Sequence, residues 1–250
     1  MPRNYRSELF ATYDRRISSL DQDEPARISW FREYVSRYYL PALRELDRAA
    51  SVLDIGCSRG YLLAALRSHG YTNLTGIDVS PGDVEHAKRV LPDATFAVAD
   101  ATSFLAARPG AFNVIVMKAV LEHIPKDEVL AWLAAIGGSL TTSGVAIIDV
   151  PNMDWLFSGH ERYMDFTHEC GFTRESLEQV LGTTFADVVI TPADNNLRAG
   201  SGLRARASRT RIRLGRKILG TLLRWSDPDG AASPIWARSL VAIARSPRGS

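Results

Sequence analysis

The sequence predicts an α/β protein built on a doubly wound, mostly parallel sheet of seven strands. Between residues 51 and 152, apolar stretches of strand length alternate with stretches of helical character. These strands are apolar on both faces, which is typical of a parallel sheet covered by helices on both sides. Two further strand-like stretches follow, and more than thirty residues that include a basic run separate them.

The elements follow in chain order. Residues 27–48 repeat apolar and aromatic side chains at helical spacing, which predicts one or two helices with a break near Pro41. The alternating region predicts strands at 51–56, 73–80, 94–100, 112–119 and 143–152, and helices at 61–69, 81–91 and 126–140. Beyond it, residues 175–184 predict a helix. The stretches 185–193 and 235–246 predict the last two strands, which are candidates for an antiparallel pair.

These elements predict four parts: an N-terminal helical cap at 1–49, an α/β core at 50–197, a basic amphipathic insertion at 198–233, and the last core strand with a tail at 234–250. No window approaches the roughly 18 apolar residues of a membrane span, and the first twenty residues lack the apolar centre of a signal peptide. Cys57 and Cys170 have no metal-type spacing. A soluble, cytoplasmic protein is therefore expected.

The basic insertion carries most of the positive charge of the chain. Eight arginines and Lys217 lie between Arg198 and Ser226 without one acidic residue, so the rest of the chain has a net charge of about −7 against +2 overall. On a helical wheel, most apolar residues of 209–225 fall on one half and most cations on the other, with Arg211 as the exception.

Three interpretations of this insertion remain open. The helix packs on its own domain with a solvated basic face, or it binds nucleic acid, which is the weakest of the three. In the third, residues 204–225 lie on an anionic membrane at its inner surface, or grip an anionic lipid-linked glycan.

A glycine-bracketed loop after the first strand predicts the ligand site. The stretch D-I-G-C-S-R-G places Gly56 and Gly60 around the first strand-to-helix turn, which is the usual cradle in doubly wound sheets. A dinucleotide site needs a middle glycine for the pyrophosphate, and Ser58 occupies that position. Asp54 at the strand end repels phosphate and suits an ammonium group.

The next two strands also end in aspartate. Asp78, twenty-two residues beyond Gly56, is placed to accept hydrogen bonds from ribose hydroxyls. Asp100 and Ala101 follow the third strand and suit the amino edge of an adenine. The three strand ends together predict a ligand with an amino acid end, a ribose and an adenine.

The stretches "VLDIGCSRG", "LTGIDVS", "FAVADAT" and "FNVIVMKAVLEHIP" resemble the successive motifs of class I S-adenosylmethionine-dependent methyltransferases, which have a Rossmann-like fold. Arg59 stands where many members carry a second glycine. The resemblance implies S-adenosylmethionine as cofactor and assigns residues to each part of it: Asp54, Gly56, Cys57 and Gly60 border the methionine end, Asp78 the ribose, and Asp100 with Ala101 the adenine. Val79 and Lys118 are assigned to the same site.

Candidate catalytic groups follow the fourth and fifth strands. A hydroxyl acceptor must lose a proton, and His123 lies at the rim where the acceptor is expected. His160 and His168 lie in a long polar and aromatic loop at 151–176, with Asp165 between them. In this loop "RYMDFTH" followed by "FTRESL" resembles bacterial O-methyltransferases of polysaccharide, O-antigen and other glycan pathways.

Glu122 and His123 also raise the question of a divalent ion. Some relatives, the small-RNA 2′-O-methyltransferases and the ubiquinone O-methyltransferases, carry E-x-x-E-H here and bind an ion such as Mg²⁺, which lowers the pKa of a hydroxyl. Ala119 replaces the first glutamate. Glu122, His123 and either His160 or His168 remain candidate ligands. The alternatives are a metal-free site with His123 or His168 as base, and a structural role for Glu122 and His123.

The sequence thus predicts an O-methyltransferase acting on a saccharide hydroxyl of a glycan, polysaccharide or glycolipid precursor. The expected acceptor pocket combines the N-terminal helices, the 151–176 loop and the insertion. A base amine is disfavoured as acceptor, because the position of the Asn-Pro-Pro-Tyr type motif reads "MKAV". The first alternative is an O-methyltransferase of a small secondary metabolite. The second is a non-catalytic adapter that binds membrane or RNA, which predicts a degraded cofactor loop.

Overall fold

The computed structural model describes residues 5–10, 23–194, 203–226 and 236–248. The parts of the predicted cap at 1–4 and 11–22, and of the predicted insertion at 198–202 and 227–233, lie outside the described residues. Among those described, no helix combines the length and apolar character needed to cross a bilayer.

The strands alternate with helices as the sequence predicts. The strands are β1 (Val52–Ile55), β2 (Leu74–Asp78), β3 (Thr95–Val98), β4 (Phe112–Lys118), β5 (Leu140–Pro151), β6 (Phe185–Ala193) and β7 (Ser239–Pro247). The helices are α1 (Tyr5–Phe10), α2 (Glu24–Tyr38), α3 (Tyr61–Ser68), α4 (Pro81–Val90), α5 (Ala101–Ala106), α6 (Val129–Ser139), α7 (Ser158–Tyr163), α8 (Arg174–Leu181) and α9 (Leu203–Ser226), with 3₁₀ turns at Leu40–Ala42 and Leu121–His123.

The seven strands form one sheet in the order β3-β2-β1-β4-β5-β7-β6. Strands β1 to β5 are parallel, and β7 runs antiparallel between β5 and β6. The predicted fold class and the predicted antiparallel pairing of the last two strands are therefore confirmed. The strand order reverses between β1 and β4, whose carboxyl ends lie side by side where Ile55 pairs with Met117. Ligands bind at this place in doubly wound sheets.

Apolar side chains fill both faces of the sheet. One buried cluster joins Leu133 and Ile136 of α6 with Leu177 of α8. The other joins Tyr34 of α2 with Leu63 of α3 and with strand residues on the opposite face. The strands are thus covered from both sides, which explains why their sequences are apolar at nearly every position.

Some boundaries differ from the prediction. The break predicted near Pro41 is present, since α2 ends at Tyr38 and a 3₁₀ turn follows, because proline removes a donor and restricts the residue before it. Of the one or two helices predicted in 27–48, one α-helix forms. Strand β5 begins at Leu140, inside the stretch predicted as helix. Helices α5 and α7 have six residues each, too few for a helical period to be recognised.

One face of the basic helix α9 contacts residues that lie next to the ends of β6 and β7. Arg216 pairs with Asp194 (Nη1 to Oδ2, 2.7 Å), and its guanidinium lies 5.9 Å from the ring centroid of Trp236. Gly220 is buried, and a Cβ there would lie 3.8 Å from Trp236 Nε1. Arg216 therefore lies on the side of α9 that meets the domain, whereas the packed-helix interpretation placed the basic face in solvent.

Candidate functional site

A hydrogen bond to Asp78 and close packing against Val120 hold the loop after β1 in one conformation. Gly56, Ser58 and Gly60 have φ values of +71°, +43° and +78°, a region that favours glycine. A Cβ on Gly56 would lie 2.4 Å from Val120 Cγ2, so the chain passes β4 too closely for a side chain. The N–H of Ser58 donates to Asp78 Oδ2 at 2.9 Å. The loop is therefore held against the end of β2.

This loop borders a cavity of about 450 Å³ at the carboxyl ends of the parallel strands. Eight of the nine predicted cofactor residues line it: Asp54, Gly56, Cys57, Asp78, Val79, Asp100, Ala101 and Lys118. The ninth, Gly60, is instead the N-cap of α3, and a Cβ there would lie 3.0 Å from Ala87 Cβ. Gly60 therefore shapes the turn and is not part of the cavity wall.

The three strand-end aspartates have different electrostatic environments. Burial raises the pKa of Asp54 well above its usual range; the Asp78 charge adds to this and Lys118 opposes it. Burial also raises the pKa of Asp78, against the backbone N–H groups of Ser80 and Ser58. A cationic ligand would relieve the cost of two ionised carboxylates in this wall.

Asp100 differs because its carboxylate caps a helix. Its Oδ1 accepts from the N–H of Ser103 at 2.9 Å and from the hydroxyl of Thr102 at 2.7 Å. The N–H of Ser103 and the Thr102 hydroxyl hold the pKa of Asp100 below its usual range. Asp100 therefore stays ionised near neutral pH and leaves Oδ2 for a ligand.

Lys118 lines the cavity and also belongs to a buried ionic network. Its Nζ lies 2.8 Å from Asp149 Oδ2 at the end of β5, and the hydroxyl of Tyr39 donates to the same oxygen at 2.7 Å. The ammonium lies 4.5 Å from the ring centroid of Tyr34, within cation–π range. The network ties the segment after α2 to the floor of the cavity.

A cluster of three candidate catalytic residues lies beside the cavity. Glu122, His123 and His168 each offer a ligand atom, and these atoms lie within 4.8 Å of one another. His123 also lines the cavity, and its ring centroid is 4.7 Å from that of His168. The fold thus brings the 3₁₀ turn after β4 and the loop after α7 to one point.

The hydrogen bonds of the two histidines define their tautomers. His123 Nδ1 lies 3.3 Å from the carbonyl oxygen of Thr167 and 2.9 Å from its hydroxyl, and His168 Nδ1 lies 3.0 Å from the carbonyl oxygen of Glu161. A carbonyl oxygen only accepts, so Nδ1 carries the hydrogen in both rings. Nε2 is therefore the basic nitrogen of each neutral histidine.

Asp165 and His160, the other two candidate catalytic residues, lie outside this cluster. Buried Asp165 accepts from the Thr167 hydroxyl at 2.7 Å and from its N–H at 2.9 Å, so it positions the residue that holds His123. His160 is exposed on α7 and is not in the cluster. Of the two histidines that the sequence left as alternatives, the structure brings His168 to Glu122 and His123, and His160 lies outside this group.

Glu122 is the least solvated member of the cluster. It is 2% exposed, and its Oε2 has no hydrogen-bond partner among the residues that the structure describes. Burial raises its pKa to about 8. A buried carboxyl oxygen without a partner beside two imidazoles is a donor set that fits a divalent cation.

Other wall residues escaped the sequence prediction. Arg27 and Phe31 reach the cavity from α2, Tyr61 from α3 and Trp132 from α6. Each lies in a helix whose apolar and aromatic spacing indicated packing only. Thr167, which holds His123, stands in the quoted stretch "RYMDFTH", but that pattern did not indicate that its hydroxyl contacts a histidine after β4.

The chain matches the family model described as methyltransferase domain over residues 28–184. It is 33% identical to EEF1A lysine methyltransferase 2 of Mus musculus over 94 residues, which is 34% of this chain and 36% of the relative. It is 30% identical to the ubiquinone biosynthesis O-methyltransferase of Thiobacillus denitrificans over 124 residues, 41% of this chain and 53% of the relative. The chain thus spans about a third to a half of the length of these curated relatives.

Among solved structures, a SAM dependent methyltransferase from Archaeoglobus fulgidus has the same fold. Its TM-score is 0.64 at 20% identity, with 88% of this chain and 94% of that chain covered. None of these three names refers to a glycan, so the resemblance to glycan enzymes stays a prediction. The class I methyltransferase fold and motifs inferred from the sequence are confirmed, and the chain belongs to the methyltransferase domain family.

Proposed function

We propose that this protein transfers the methyl group of S-adenosylmethionine to a hydroxyl oxygen, and that the hydroxyl belongs to a saccharide. One observation carries the proposal: His123 lines the same cavity as the three strand-end carboxylates, and its Nδ1 hydrogen is held by Thr167. A basic Nε2 next to a cofactor-sized cavity is what a hydroxyl acceptor needs.

The cavity wall matches the parts of the cofactor. The ammonium of the methionine end pairs with Asp54, whose buried carboxylate gains from a cation. Asp78 keeps acceptor capacity for the ribose hydroxyls beyond its two backbone bonds. The ionised Asp100 accepts from the adenine amine, and the volume of about 450 Å³ lies in the range of ligand pockets.

The proposed reaction is an in-line displacement at the sulfonium methyl carbon. The acceptor oxygen forms a bond to the methyl carbon while the carbon–sulfur bond breaks and its electron pair goes to sulfur. The hydroxyl proton passes to Nε2 of His123, or to Nε2 of His168 beside it. The products are a methyl ether, S-adenosylhomocysteine and an imidazolium, which later releases its proton to solvent. The main work of the chain is alignment and proton removal.

Exposed aromatic side chains favour a saccharide acceptor. Tyr163, Phe166 and Phe157, in the segment that also carries His168, are 81%, 78% and 60% exposed. Aromatic rings offer a large rigid apolar face, and sugar rings pack their C–H faces on such side chains. A small-molecule acceptor is the second candidate, favoured by the likeness to an enzyme named for ubiquinone biosynthesis.

A divalent ion is compatible with the same cluster. Glu122 through its buried Oε2, and His123 and His168 through Nε2, would hold it. When bound, it would lower the pKa of an acceptor hydroxyl. In that case Thr167 and Asp165 orient the His123 ring as a ligand in place of a base.

The test is transfer of labelled methyl from S-adenosylmethionine into fractionated extracts of the source organism. Label in a carbohydrate or glycolipid fraction supports the saccharide proposal, and label only in small aromatics or RNA contradicts it. His123→Ala and His168→Ala should each lower the rate, whereas the exposed His160→Ala serves as matched control. Loss of labelling with EDTA favours the ion. If neither variant slows transfer, the assignment of the base is wrong.

A further inference from the structure

The basic helix α9 (Leu203–Ser226) presents an apolar stripe to solvent. Leu214, Ile218, Leu222 and Trp225 are 57%, 54%, 55% and 89% exposed. They recur at steps of four, four and three residues, so they share one face of the helix. Half-buried Ile212 and Arg216 and buried Gly220 form the different face that meets the domain. The exposed stripe is therefore not the face that attaches the helix.

Cations border this stripe. On a helical wheel exposed Arg211 lies within the stripe and exposed Lys217 flanks it, while exposed Arg213 lies farther round, beside the face that meets the domain. No acidic residue occurs between 195 and 226. Long basic side chains beside apolar residues keep their charged ends in water while their stems cover apolar surface. The combination of an aromatic, three aliphatic side chains and a run of basic residues is typical of helices that lie in a membrane interface.

Residues 236–238 connect the attached face of α9 to the loop after β5. Trp236 packs against α9, and two residues later the guanidinium of Arg238 lies 4.8 Å from the Trp155 ring centroid and pairs with Glu161 at 2.8 Å. Residues 236–238 thus contact the domain-facing side of α9 and the segment that carries Trp155 and Glu161. This short stretch enters β7 beside the carboxyl end of β5, on the edge of the sheet that holds the cavity.

We propose that the exposed face of α9 docks on the surface of an anionic lipid bilayer. Each lysine or arginine near such a surface strengthens binding electrostatically, and the apolar stripe adds the burial of apolar side chains among the lipids. RNA would use the cations and leave the apolar stripe in water. A second copy of the chain would cover the stripe but would also take the exposed cation Arg211, which lies within the stripe, out of water. The proposal is independent of methyl transfer.

The experiment is co-sedimentation of the full chain with phosphatidylcholine vesicles, with and without phosphatidylglycerol. We expect at least about tenfold stronger binding when the anionic lipid is present, and a loss of that gain at high salt. Ile218→Asp combined with Leu222→Asp should abolish binding. Val189→Asp is the matched control, because Val189 is 60% exposed on β6. All substituted side chains are exposed, so an unchanged melting temperature verifies the fold.

Two further results test the choice of partner. Arg213→Glu with Lys217→Glu should reduce binding to anionic vesicles at least about tenfold. The proposal is overturned if the chain binds both vesicle types equally weakly, or if the aspartate pair and the Val189→Asp control bind alike. It is also overturned if the chain binds only an RNA oligonucleotide, or forms a concentration-dependent dimer that the aspartate pair abolishes without any vesicle binding.

Discussion

Replacing Lys118 by methionine should destabilise the fold, because it leaves a buried carboxylate without its counter-charge. Asp149 is 1% exposed, and its Oδ2 accepts from Lys118 Nζ at 2.8 Å and Tyr39 OH at 2.7 Å. Removal of one partner of a buried ion pair costs about 3–5 kcal/mol. The substitution also removes the ammonium from the face of Tyr34. We expect the free energy of unfolding to fall by about 3–5 kcal/mol.

Urea unfolding at neutral pH measures this loss, and a second variant identifies its cause. Combining Lys118→Met with Asp149→Asn removes both charges while the asparagine oxygen still accepts from Tyr39. The double variant should regain most of the lost stability. Asp149→Asn alone should cost less than Lys118→Met, since Lys118 borders the cavity and can be hydrated. Two results would refute this explanation. One is a free energy of unfolding for Lys118→Met within about 1 kcal/mol of the wild-type value. The other is a double variant that is no more stable than Lys118→Met.

Three other predictions follow from the site. Glu122 has a pKa of about 8 against an ordinary 4.5, so the folded chain holds a proton that the unfolded chain releases. In EDTA, the free energy of unfolding should therefore fall as pH rises from 4.5 to 8, by up to about 1.4 kcal/mol per pH unit. The Glu122→Gln variant should lack this contribution to the pH dependence of the free energy of unfolding. If the wild-type chain and the variant lose stability equally between pH 4.5 and 8, the raised pKa does not belong to Glu122. Asp54→Asn should weaken S-adenosylhomocysteine binding by calorimetry by about 10- to 150-fold, which corresponds to a charged hydrogen bond of about 1.5–3 kcal/mol; an unchanged affinity would remove Asp54 from the site. Gly56→Ala should cost about 2–5 kcal/mol in thermal or urea unfolding, because φ is +71° and the new Cβ would meet Val120 Cγ2 at 2.4 Å. A fully stable alanine variant would show that the loop has another conformation.

Local patterns made the cofactor side of the site predictable. Asp78 ends β2, Asp54 is the penultimate residue of β1 and Asp100 lies two residues beyond β3, and parallel strands place their carboxyl ends at one edge. The sequence therefore determined their neighbourhood without any knowledge of long-range contacts. The same logic identified β1 to β5, whose apolar runs reflect burial on both faces.

The acceptor side depends on contacts between distant segments. The choice of His168 over His160 follows from how the loop after α7 packs against the turn after β4, a contact between segments more than forty residues apart that no local pattern states. Asp165 similarly acts through a threonine two residues away. The face that α9 turns to the domain depends on one long-range pair, Arg216 with Asp194. A helical wheel shows which side chains share a face of the helix, but it contains no information about a contact with a residue outside the helix.

The most direct test of the account is a calorimetric titration of the full chain with S-adenosylhomocysteine and, separately, with NADH. The central claim is that the cavity bounded by Gly56 and the three strand-end aspartates binds an amino acid, a ribose and an adenine, and rejects a pyrophosphate. We expect one S-adenosylhomocysteine molecule to bind per chain and NADH to give no heat of binding. Binding of NADH, or no binding of S-adenosylhomocysteine by the folded chain, would contradict it.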